Sequence, residues 1–256
     1  MKEFFIRTLI PLSFVGTLMI LPSCSSSYSI ASVEGNRIEI SSKYDNNQDL
    51  NAVKILNTYK ASVDSIMSPV IGKSNIDMSA YRPESPLSNL VADVLREATI
   101  KYAGREADVA VINMGGLRAP LPKGDVKFSN IFEITPFENT LCILTMKGSS
   151  LRHLFDNIAS VRGEGLSGAN LVISKDGKLI SATVNGQPID DNKEYKVATV
   201  DYLAEGNDKM VAFKEATDNL QPDGATLRQL FLDYVSNLTK EGKNLDSKVE
   251  GRIVVK

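Results

Sequence analysis

Apolar residues recur at intervals of three or four in four stretches of the chain, and each stretch predicts a helix. The first stretch begins at Asp49, is stopped by Pro69 and has its apolar positions at Val53, Leu56, Tyr59, Val63 and Ile66. The second opens at Ser85 with a proline behind it and closes at Gly104, which are common helix start and stop signals. The third spans residues 149–160, and the fourth is ATLRQLFLDYVSNL, near the C-terminus.

Short apolar runs predict strands at ADVAVIN, TLCILTMKG and EYKVATVDYL, and RIVVK predicts an edge strand at the end of the chain. LVISKDGKLISATVNGQPI predicts a hairpin with tight turns at Asp176-Gly177 and Asn185-Gly186. Alternation of Ile38 and Ile40 in EGNRIEIS predicts a first strand. Helices and strands alternate irregularly, with hairpins among them. This pattern favours a single α+β domain, with a mixed β-sheet and flanking helices, over a doubly wound parallel sheet.

Residues 1–23 have the composition of an export signal. Lys2 and Arg7 flank the start of an apolar run that ends at LPSC, which is too short and wrongly flanked for a membrane span. The residues before Cys24 resemble the lipobox of bacterial lipoproteins, although Pro22 is unusual inside that box. We therefore expect cleavage before Cys24 and a lipid on that residue. An ordinary secretory signal and an uncleaved anchor are the alternatives.

These features predict three regions along the chain. Residues 1–23 form the lipoprotein signal peptide, residues 24–44 a tether with the first strand, and residues 45–256 the globular domain. The tether is serine-rich, as expected for a flexible link between a lipid and a domain. A lipid on Cys24 would hold the protein at the bacterial cell envelope, facing the periplasm. The sequence does not distinguish the inner from the outer membrane.

Composition argues against several classes of function. The whole chain has a formal net charge of −2, which gives no electrostatic footprint for a nucleic acid polymer. It contains one histidine, His153, whereas two-metal hydrolases hold their ions with several imidazoles and carboxylates. We therefore expect no metal site in this chain. Cys142 lies in the apolar run TLCILTM, where a buried structural thiol is expected rather than a nucleophile.

The segment VINMGGLRAP, residues 111–120, combines a strand end, two glycines and an arginine. Glycine lets a backbone turn sharply and approach a ligand closely, because it has no Cβ. The guanidinium of Arg118 is suited to phosphate or carboxylate groups. An ordinary turn with a surface arginine fits the same letters, and this segment alone favours that simpler interpretation.

Four segments together change that balance. ESPLSNLVADV, VINMGGLRAP, ITPFEN and VDYLAEGND resemble, in the same order, segments of the C-terminal, substrate-binding domain of the 5′-nucleotidase family. That family includes ecto-5′-nucleotidases and bacterial periplasmic UDP-sugar hydrolases. The resemblance runs from about Asp49 to Phe213. It implies an α+β domain with that family's architecture and a site for nucleotides.

The resemblance implies an aromatic clamp around the nucleobase. Phe137 of TPFEN matches the first ring, and Tyr202 of DYLAEGND matches the second, where the family more often has phenylalanine. Asp208 matches the acid that accepts hydrogen bonds from the ribose hydroxyls. Asn207 replaces a glycine of the family's GGD run, and this departure puts the backbone geometry of the loop in question.

Further positions are implied for the phosphate and the base. Arg118 matches a phosphate-contacting arginine, and Arg82 lies near the place of further phosphate-binding arginines, with different local spacing. Asn113 and Asn139 match polar contacts near the base, and Gly116 lies in the same turn as Asn113. No residue of this chain is implied as catalytic.

In the family this domain is one half of an enzyme, and the other half is a metallophosphatase domain. Nothing in the sequence resembles that half, and the stretch before Asp49 is too short for it. We therefore expect a split 5′-nucleotidase, in which this chain binds nucleoside 5′-phosphates and needs no cofactor of its own. A separate metallophosphatase chain would supply divalent metals, so this chain alone is expected to be inactive.

Two other hypotheses remain open. One is a non-catalytic nucleotide- or nucleoside-binding lipoprotein that serves capture or uptake. The other is a surface interaction protein that keeps the fold but has lost the site. The sequence leaves open the preferred base, the number of phosphates, the acceptance of UDP-sugars and the oligomeric state.

Overall fold

The structure is a computed structural model that describes residues 28–256. The predicted signal peptide and its lipidation residue, Cys24, lie outside the described residues. The chain divides into a unit that ends at Val53 and a second unit from Lys54 to Lys256. In the first unit, residues 28–41 form no regular element, and a short 3-10 helix follows at Ser42–Tyr44.

The predicted first strand around Ile38 and Ile40 is wrong. Both side chains are almost fully exposed, at 79% and 99%, and the segment that contains them forms no strand. A strand needs a partner for its backbone groups and a surface for its apolar face. Alternation of apolar residues over so short a segment supplies neither.

The strands of the second unit are β1 (Val70–Ser74), β2 (Val109–Ile112), β3 (Gly124–Lys127), β4 (Leu141–Lys147), β5 (Gly165–Ser167), β6 (Ala169–Ile173), β7 (Leu179–Val184), β8 (Gln187–Pro188), β9 (Glu194–Val200), β10 (Asp218–Leu220) and β11 (Ile253–Val255). The helices of the chain are α1 (Leu50–Met67), α2 (Pro86–Ala103), α3 (Phe128–Ile134), α4 (Gly148–Ser160), α5 (Asp201–Ala204) and α6 (Leu227–Lys240). Every predicted helix and strand except the first strand is present.

The central sheet has five strands in the order β10-β4-β9-β2-β5. Strands β2 and β9 are parallel, and the other neighbours are antiparallel, so the sheet is mixed as predicted. All residues of β2 are buried, and six of the seven in β4 are buried. A strand buried on both faces is apolar throughout, which explains the uninterrupted runs of the sequence.

A second sheet has the order β11-β6-β7-β8, and β1 pairs with β3 in a separate ribbon. The predicted hairpin forms β6, β7 and β8, with positive φ at Gly177, Asn185 and Gly186 in its turns. Strand β11 pairs with β6 in parallel at the edge of the sheet, as predicted.

Helix α2 packs against β2 and β5 and fills the core beside the central sheet. Its start is a capping box, in which Ser85 and Ser88 satisfy each other's backbone N–H groups, and its end is Gly104 at φ 72°. Apolar side chains along α2 are buried, including Leu87, Leu90 and Leu95. The tight anchoring of α2 fixes the neighbouring end of β2.

Helix α1 forms over the predicted stretch but buries none of its residues. Asp49 caps its start, because the carboxylate accepts from the N–H groups of Asn51 and Ala52. Its apolar side chains are exposed, among them Leu56 and Tyr59, each 67% exposed. Within residues 28–256, no helix combines the length and apolarity that crossing a bilayer requires.

Candidate functional site

A cavity of about 370 Å³ opens where β2 and β9 end. It is lined by Asn113, Gly115, Gly116, Phe137, Asn139, Tyr202 and Asp208. Six of the eight binding residues predicted from the sequence are therefore brought together, and Gly115 joins them. The volume lies within the range usual for small-molecule sites.

The turn after β2 forms one wall of the cavity. Strand β2 ends at Ile112, the buried Asn113 follows it, and residues Met114–Gly116 form a single 3-10 turn. A Cβ on Gly116 would lie 2.8 Å from Oδ1 of Asn113, closer than side chains tolerate. Glycine at this position therefore lets the Asn113 amide lie flat against the turn.

Phe137 lies on the loop after α3, and its ring is 48% exposed at the cavity. Arg228 of α6 organises this loop. Its Nε donates to the carbonyl of Thr135 at 3.0 Å, and its Nη2 donates to that of Pro136 at 2.8 Å. Its Nη1 forms a 2.7 Å ion pair with Glu138. A single, largely buried guanidinium thus holds the backbone before the aromatic ring and the Glu138 side chain after it.

Tyr202 belongs to the short helix α5, which directly follows β9, and its side chain is 40% exposed. It lines the same cavity as Phe137, so the two rings border one space. The loop after α5 turns at Gly206, with φ 81°, and reaches Asp208 with φ 51°. Asn207 keeps a negative φ and donates from Nδ2 to the Tyr202 carbonyl at 2.8 Å. The loop therefore needs no glycine at position 207.

Asp208 is held at both of its carboxylate oxygens. The Tyr202 hydroxyl donates to Oδ1 at 3.0 Å, and Nδ2 of Asn113 donates to Oδ2 at 2.7 Å. The hydrogen bond to Asp208 raises the pKa of the Tyr202 phenol, so its proton is retained. Oδ1 of Asn113 is buried and has no hydrogen-bond partner among the described residues. The amide orientation is thus set by its contact with Asp208.

Neither predicted arginine lines the cavity. Arg118 is exposed, and its Nη1 donates to the carbonyl of Gly115 at 3.2 Å, which keeps it beside the cavity wall. Nε of Arg82 donates to the carbonyl of Gly163 at 2.8 Å, and Nη2 pairs with Glu164. Arg118 is thus bound to the turn itself and Arg82 to the segment at 163–164, outside the cavity lining.

Glu164 is a site residue that the sequence reasoning missed. Its side chain is 1% exposed, and its carboxylate pairs with Arg82 and accepts from the N–H of Met114. Burial raises the pKa of Glu164, while the Met114 N–H and Arg82 lower it. Glu164 thus connects Arg82 to the glycine turn. A glutamate between two glycines ahead of a strand is a weak signal, and the sequence offers no other.

The family model for the 5′-nucleotidase C-terminal domain matches residues 70–215, more than half of the chain. The chain therefore belongs to the 5′-nucleotidase C-terminal domain family, as the resemblance of its four segments implied. Every residue that lines the cavity falls within the matched range.

Individual relatives agree with this assignment. Protein UshA of Yersinia enterocolitica is 34% identical over 169 residues, which cover 63% of this chain and 30% of that protein. A 5′-nucleotidase of Diplobatis ommata is 26% identical over 251 residues, covering 86% of this chain and 42% of the relative. The solved 5′-nucleotidase precursor of Thermus thermophilus matches with a TM-score of 0.70 and 28% identity, over 81% of this chain and 43% of that one. The chain thus spans less than half the length of these relatives.

Among the residues that the structure describes, no group of three or more His, Cys, Asp or Glu side chains is arranged to hold a metal ion. The groups that line the cavity are suited to contacting a ligand. Two aromatic faces border one space, a carboxylate lies at its edge, and backbone and amide groups line the rest. A flat heterocycle attached to a group with several hydroxyls matches these features.

Proposed function

We propose that this chain is the nucleotide-recognition part of a split 5′-nucleotidase. It binds nucleoside 5′-phosphates, and a separately encoded metallophosphatase chain hydrolyses them. The observation that carries the proposal is the single cavity shared by Phe137, Tyr202 and Asp208. Membership in the 5′-nucleotidase C-terminal domain family supports nucleotides as the ligand class.

The base would lie between the rings of Phe137 and Tyr202. Stacking on an aromatic side chain contributes about 1–3 kcal/mol per base. Losing free motion on binding costs at least about 4 kcal/mol. Stacking on two rings and one charged phosphate contact of about 1.5–3 kcal/mol therefore leave only a small surplus, so we expect weak binding. Such affinity suits a substrate that must also be released.

The phosphate would extend toward the turn after β2. Arg118 is exposed next to Gly115, and Arg82 is 42% exposed on the far side of Glu164. A guanidinium presents a fork of N–H donors that matches phosphate oxygens. The arginines flank the turn without lining the cavity, so they would contact only the part of the ligand that projects from it.

The hydrolytic step would belong to the partner chain. Divalent metals bound by that chain would activate water and stabilise charge on the phosphate. This chain would hold the nucleotide in place and bind no cofactor. A lipid on Cys24 would keep it at the bacterial cell envelope, on the periplasmic side, together with its partner.

Binding is tested by titration calorimetry of the full chain with AMP and adenosine. We expect micromolar-to-millimolar binding of AMP, weakened about tenfold or more by Phe137→Ala, as loss of one stacking face predicts. Tyr59→Ala, an exposed aromatic on α1, is the matched control and should leave binding unchanged. Absence of binding to any nucleotide or nucleoside would overturn the proposal.

The split enzyme is tested by mixing. A metallophosphatase chain encoded beside this one is purified and assayed for phosphate release from AMP with added Mn²⁺ or Mg²⁺. The mixture should release phosphate faster than the two chains separately, and Phe137→Ala should remove the gain. Equal rates with and without this chain would reject the partnership while leaving nucleotide binding intact.

One observation favours a second candidate, capture of nucleosides without catalysis. Among residues 28–256, no arginine or lysine lines the cavity, so base and sugar can be recognised without a phosphate. This candidate predicts equal affinity for adenosine and AMP, and no change when Arg118 is replaced by alanine. Tighter binding of AMP, reduced to the adenosine value in Arg118→Ala, would favour the nucleotidase role.

A further inference from the structure

Tyr202 contributes two different groups to the cavity. Its ring forms one wall, and its hydroxyl donates to Oδ1 of Asp208 at 3.0 Å. The second carboxylate oxygen of Asp208 accepts from Asn113 at 2.7 Å. The carboxylate is therefore clamped in one orientation by two side chains that also line the cavity.

The backbone around Asp208 has an uncommon conformation. Asp208 and Lys209 both have positive φ, at 51° and 67°, a conformation that non-glycine residues adopt at a cost. The loop from 202 to 208 is closed by two contacts. Asn207 holds the Tyr202 carbonyl at 2.8 Å, and the Tyr202 hydroxyl holds the Asp208 carboxylate. A phenylalanine at 202 would keep the ring but remove one of these two contacts.

A clamped carboxylate is suited to a pair of neighbouring hydroxyls. An ionised carboxylate has about four acceptor positions, so Asp208 can accept further bonds after those from Tyr202 and Asn113. The Tyr202 hydroxyl donates its hydrogen bond to Asp208, and the phenol oxygen keeps acceptor capacity of its own. Two fixed acceptors beside an aromatic face match the cis 2′- and 3′-hydroxyls of a ribose next to a stacked base.

We propose that Tyr202 is the residue that makes this site select ribonucleosides over 2′-deoxyribonucleosides, through its hydroxyl and the Asp208 carboxylate that it positions. The inference rests on the proposed function and specifies the sugar. The ring of Tyr202 would contribute equally to ribo- and deoxyribo-ligands, because both present the same base. Only the Tyr202 hydroxyl and the Asp208 carboxylate that it positions would distinguish ribo- from deoxyribo-ligands.

The test measures the dissociation constants of adenosine and 2′-deoxyadenosine, and of uridine and 2′-deoxyuridine, for the full chain and for Tyr202→Phe. Wild type should bind the ribonucleoside of at least one pair more tightly than its 2′-deoxy analogue. The selectivity ratio is the dissociation constant of the 2′-deoxy analogue divided by that of the ribonucleoside. In Tyr202→Phe this ratio should fall about fivefold, the factor that one hydrogen bond of about 1 kcal/mol represents. Binding of the 2′-deoxy analogue should change by less than about twofold, because stacking is retained.

Three further variants separate positioning from general damage. Tyr202→Ala should weaken both members of a pair, since the ring is lost. Asp208→Asn should lower the ratio as Tyr202→Phe does, and the double variant should lower it no further, because both act through one contact. Tyr59→Phe, which alters an exposed tyrosine on α1, should leave the ratio unchanged. Thermal unfolding of Tyr202→Phe checks that the domain remains folded.

The outcomes are distinct from those of the proposed function. If wild type binds nucleosides and Tyr202→Phe leaves the ratio unchanged or raises it, the inference is rejected and the proposed function stands. If the effects of Asp208→Asn and Tyr202→Phe on the ratio add in the double variant, the Tyr202 hydroxyl does not act through Asp208 and the inference is also rejected. If wild type binds no nucleoside or nucleotide, the proposed function itself fails.

Discussion

Arg228 holds the backbone of Phe137 from 91 positions further along the chain. Its Nη2 donates to the Phe137 carbonyl at 3.3 Å and to the Pro136 carbonyl at 2.8 Å. The same guanidinium lies 4.4 Å from the centre of the Phe132 ring. A helix near the C-terminus thus determines the position of a ring that borders the cavity.

Replacing Arg228, which does not line the cavity, should therefore weaken the site indirectly. In Arg228→Ala, the loop at 135–138 loses its donors, and we expect a stability loss of about 2 kcal/mol. Nucleotide binding should weaken about as much as in Phe137→Ala, and the two changes together should add little. Urea unfolding and calorimetry measure the two effects.

Arg105→Ala is the control for this prediction, because Arg105 pairs with Asp108 at the surface with 53% of its side chain exposed. It should change stability by less than about 0.5 kcal/mol. Arg228→Lys keeps the charge but lacks the planar fork, so it should behave as the alanine variant does. Normal ligand affinity in Arg228→Ala would show that the loop holds Phe137 without the guanidinium.

The pair of Arg82 and Glu164 predicts a pH dependence. Without Arg82, the buried carboxylate loses its counter-charge, and the pKa of Glu164, already raised from 4.5 by burial, rises further. A carboxyl with a raised folded-state pKa contributes stability below its unfolded pKa and loses it as pH rises through the folded pKa. The stability deficit of Arg82→Ala should therefore be larger at pH 8 than at pH 5, by about 1–3 kcal/mol.

Arg152→Ala is the matched control for the pH experiment. Arg152 is 43% exposed and pairs with Asp191, whose side chain is 58% exposed, whereas Arg82 is 42% exposed and pairs with a buried carboxylate. Asp191 stays in contact with water when its partner is removed, so the stability deficit of Arg152→Ala should not grow with pH. A double variant, Arg82→Ala with Glu164→Gln, should also lose the dependence. Persistence of the dependence in that double variant would point to another titrating group.

Gly116 and Gly115 provide a matched pair. A Cβ at 116 would lie 2.8 Å from Oδ1 of Asn113, while at 115 the nearest atoms are 3.9 Å and 4.0 Å away, in Asn113 and Asp208. Gly116→Ala should cost about 1–3 kcal/mol, because the Asn113 amide must shift. Gly115→Ala should leave stability within about 1 kcal/mol.

Ligand binding should separate the two glycine variants further. Gly115 lines the cavity, so a methyl group there takes up space that the ligand uses. We expect Gly115→Ala to weaken nucleotide binding while the domain remains as stable as wild type. If Gly115→Ala and Gly116→Ala unfolded at the same urea concentration, a Cβ at 116 would not be too close to Asn113.

Cys142 gives a prediction at alkaline pH. Its side chain is fully buried in β4, and burial raises the pKa of the thiol from 9.0 to about 11. The protonated thiol therefore contributes stability that is fully present below about pH 9 and lost as pH rises to about 11. Relative to Cys142→Ala, wild type should lose up to about 2–3 kcal/mol between pH 8 and pH 11.

Urea unfolding of both proteins at pH 8, 9, 10 and 11 measures this difference. Other groups that titrate in this range, mainly tyrosines and lysines, are shared by the two proteins and cancel. A constant difference between wild type and Cys142→Ala across the series would mean that the buried thiol ionises as readily as in the unfolded chain.

Local patterns predicted most of the secondary structure, because the signals act within a few residues. The Asp176-Gly177 and Asn185-Gly186 turns formed where their positive φ values were expected. The prediction of a first strand is wrong because, among residues 28–256, no strand pairs with the segment of Ile38 and Ile40. No local pattern reveals such a lack of pairing. The exposure of α1 was not predicted either, because helical spacing does not show whether another element packs against the apolar face.

The candidate site shows the same limit. Three of the four segments contain the six predicted cavity residues, because each of these three keeps its own turn or aromatic residue. Glu164 and Arg228 were not found, since their roles depend on contacts with Met114 and Phe137, 50 and 91 positions away. Tyr202 was matched to an aromatic position of the family, and its hydroxyl was assigned no role. The hydrogen bond from that hydroxyl to Asp208 depends on the fold of the loop, which the sequence does not display.

The position of the cavity along the chain has a practical result for the intact protein. All seven of its residues fall between Asn113 and Asp208, whereas α1 ends at Met67 and buries nothing. A protease that cut the exposed helix would therefore shed a fragment that still contains every residue of the cavity. The N-terminal part of the chain up to α1 could thus be removed without loss of any residue that lines the cavity.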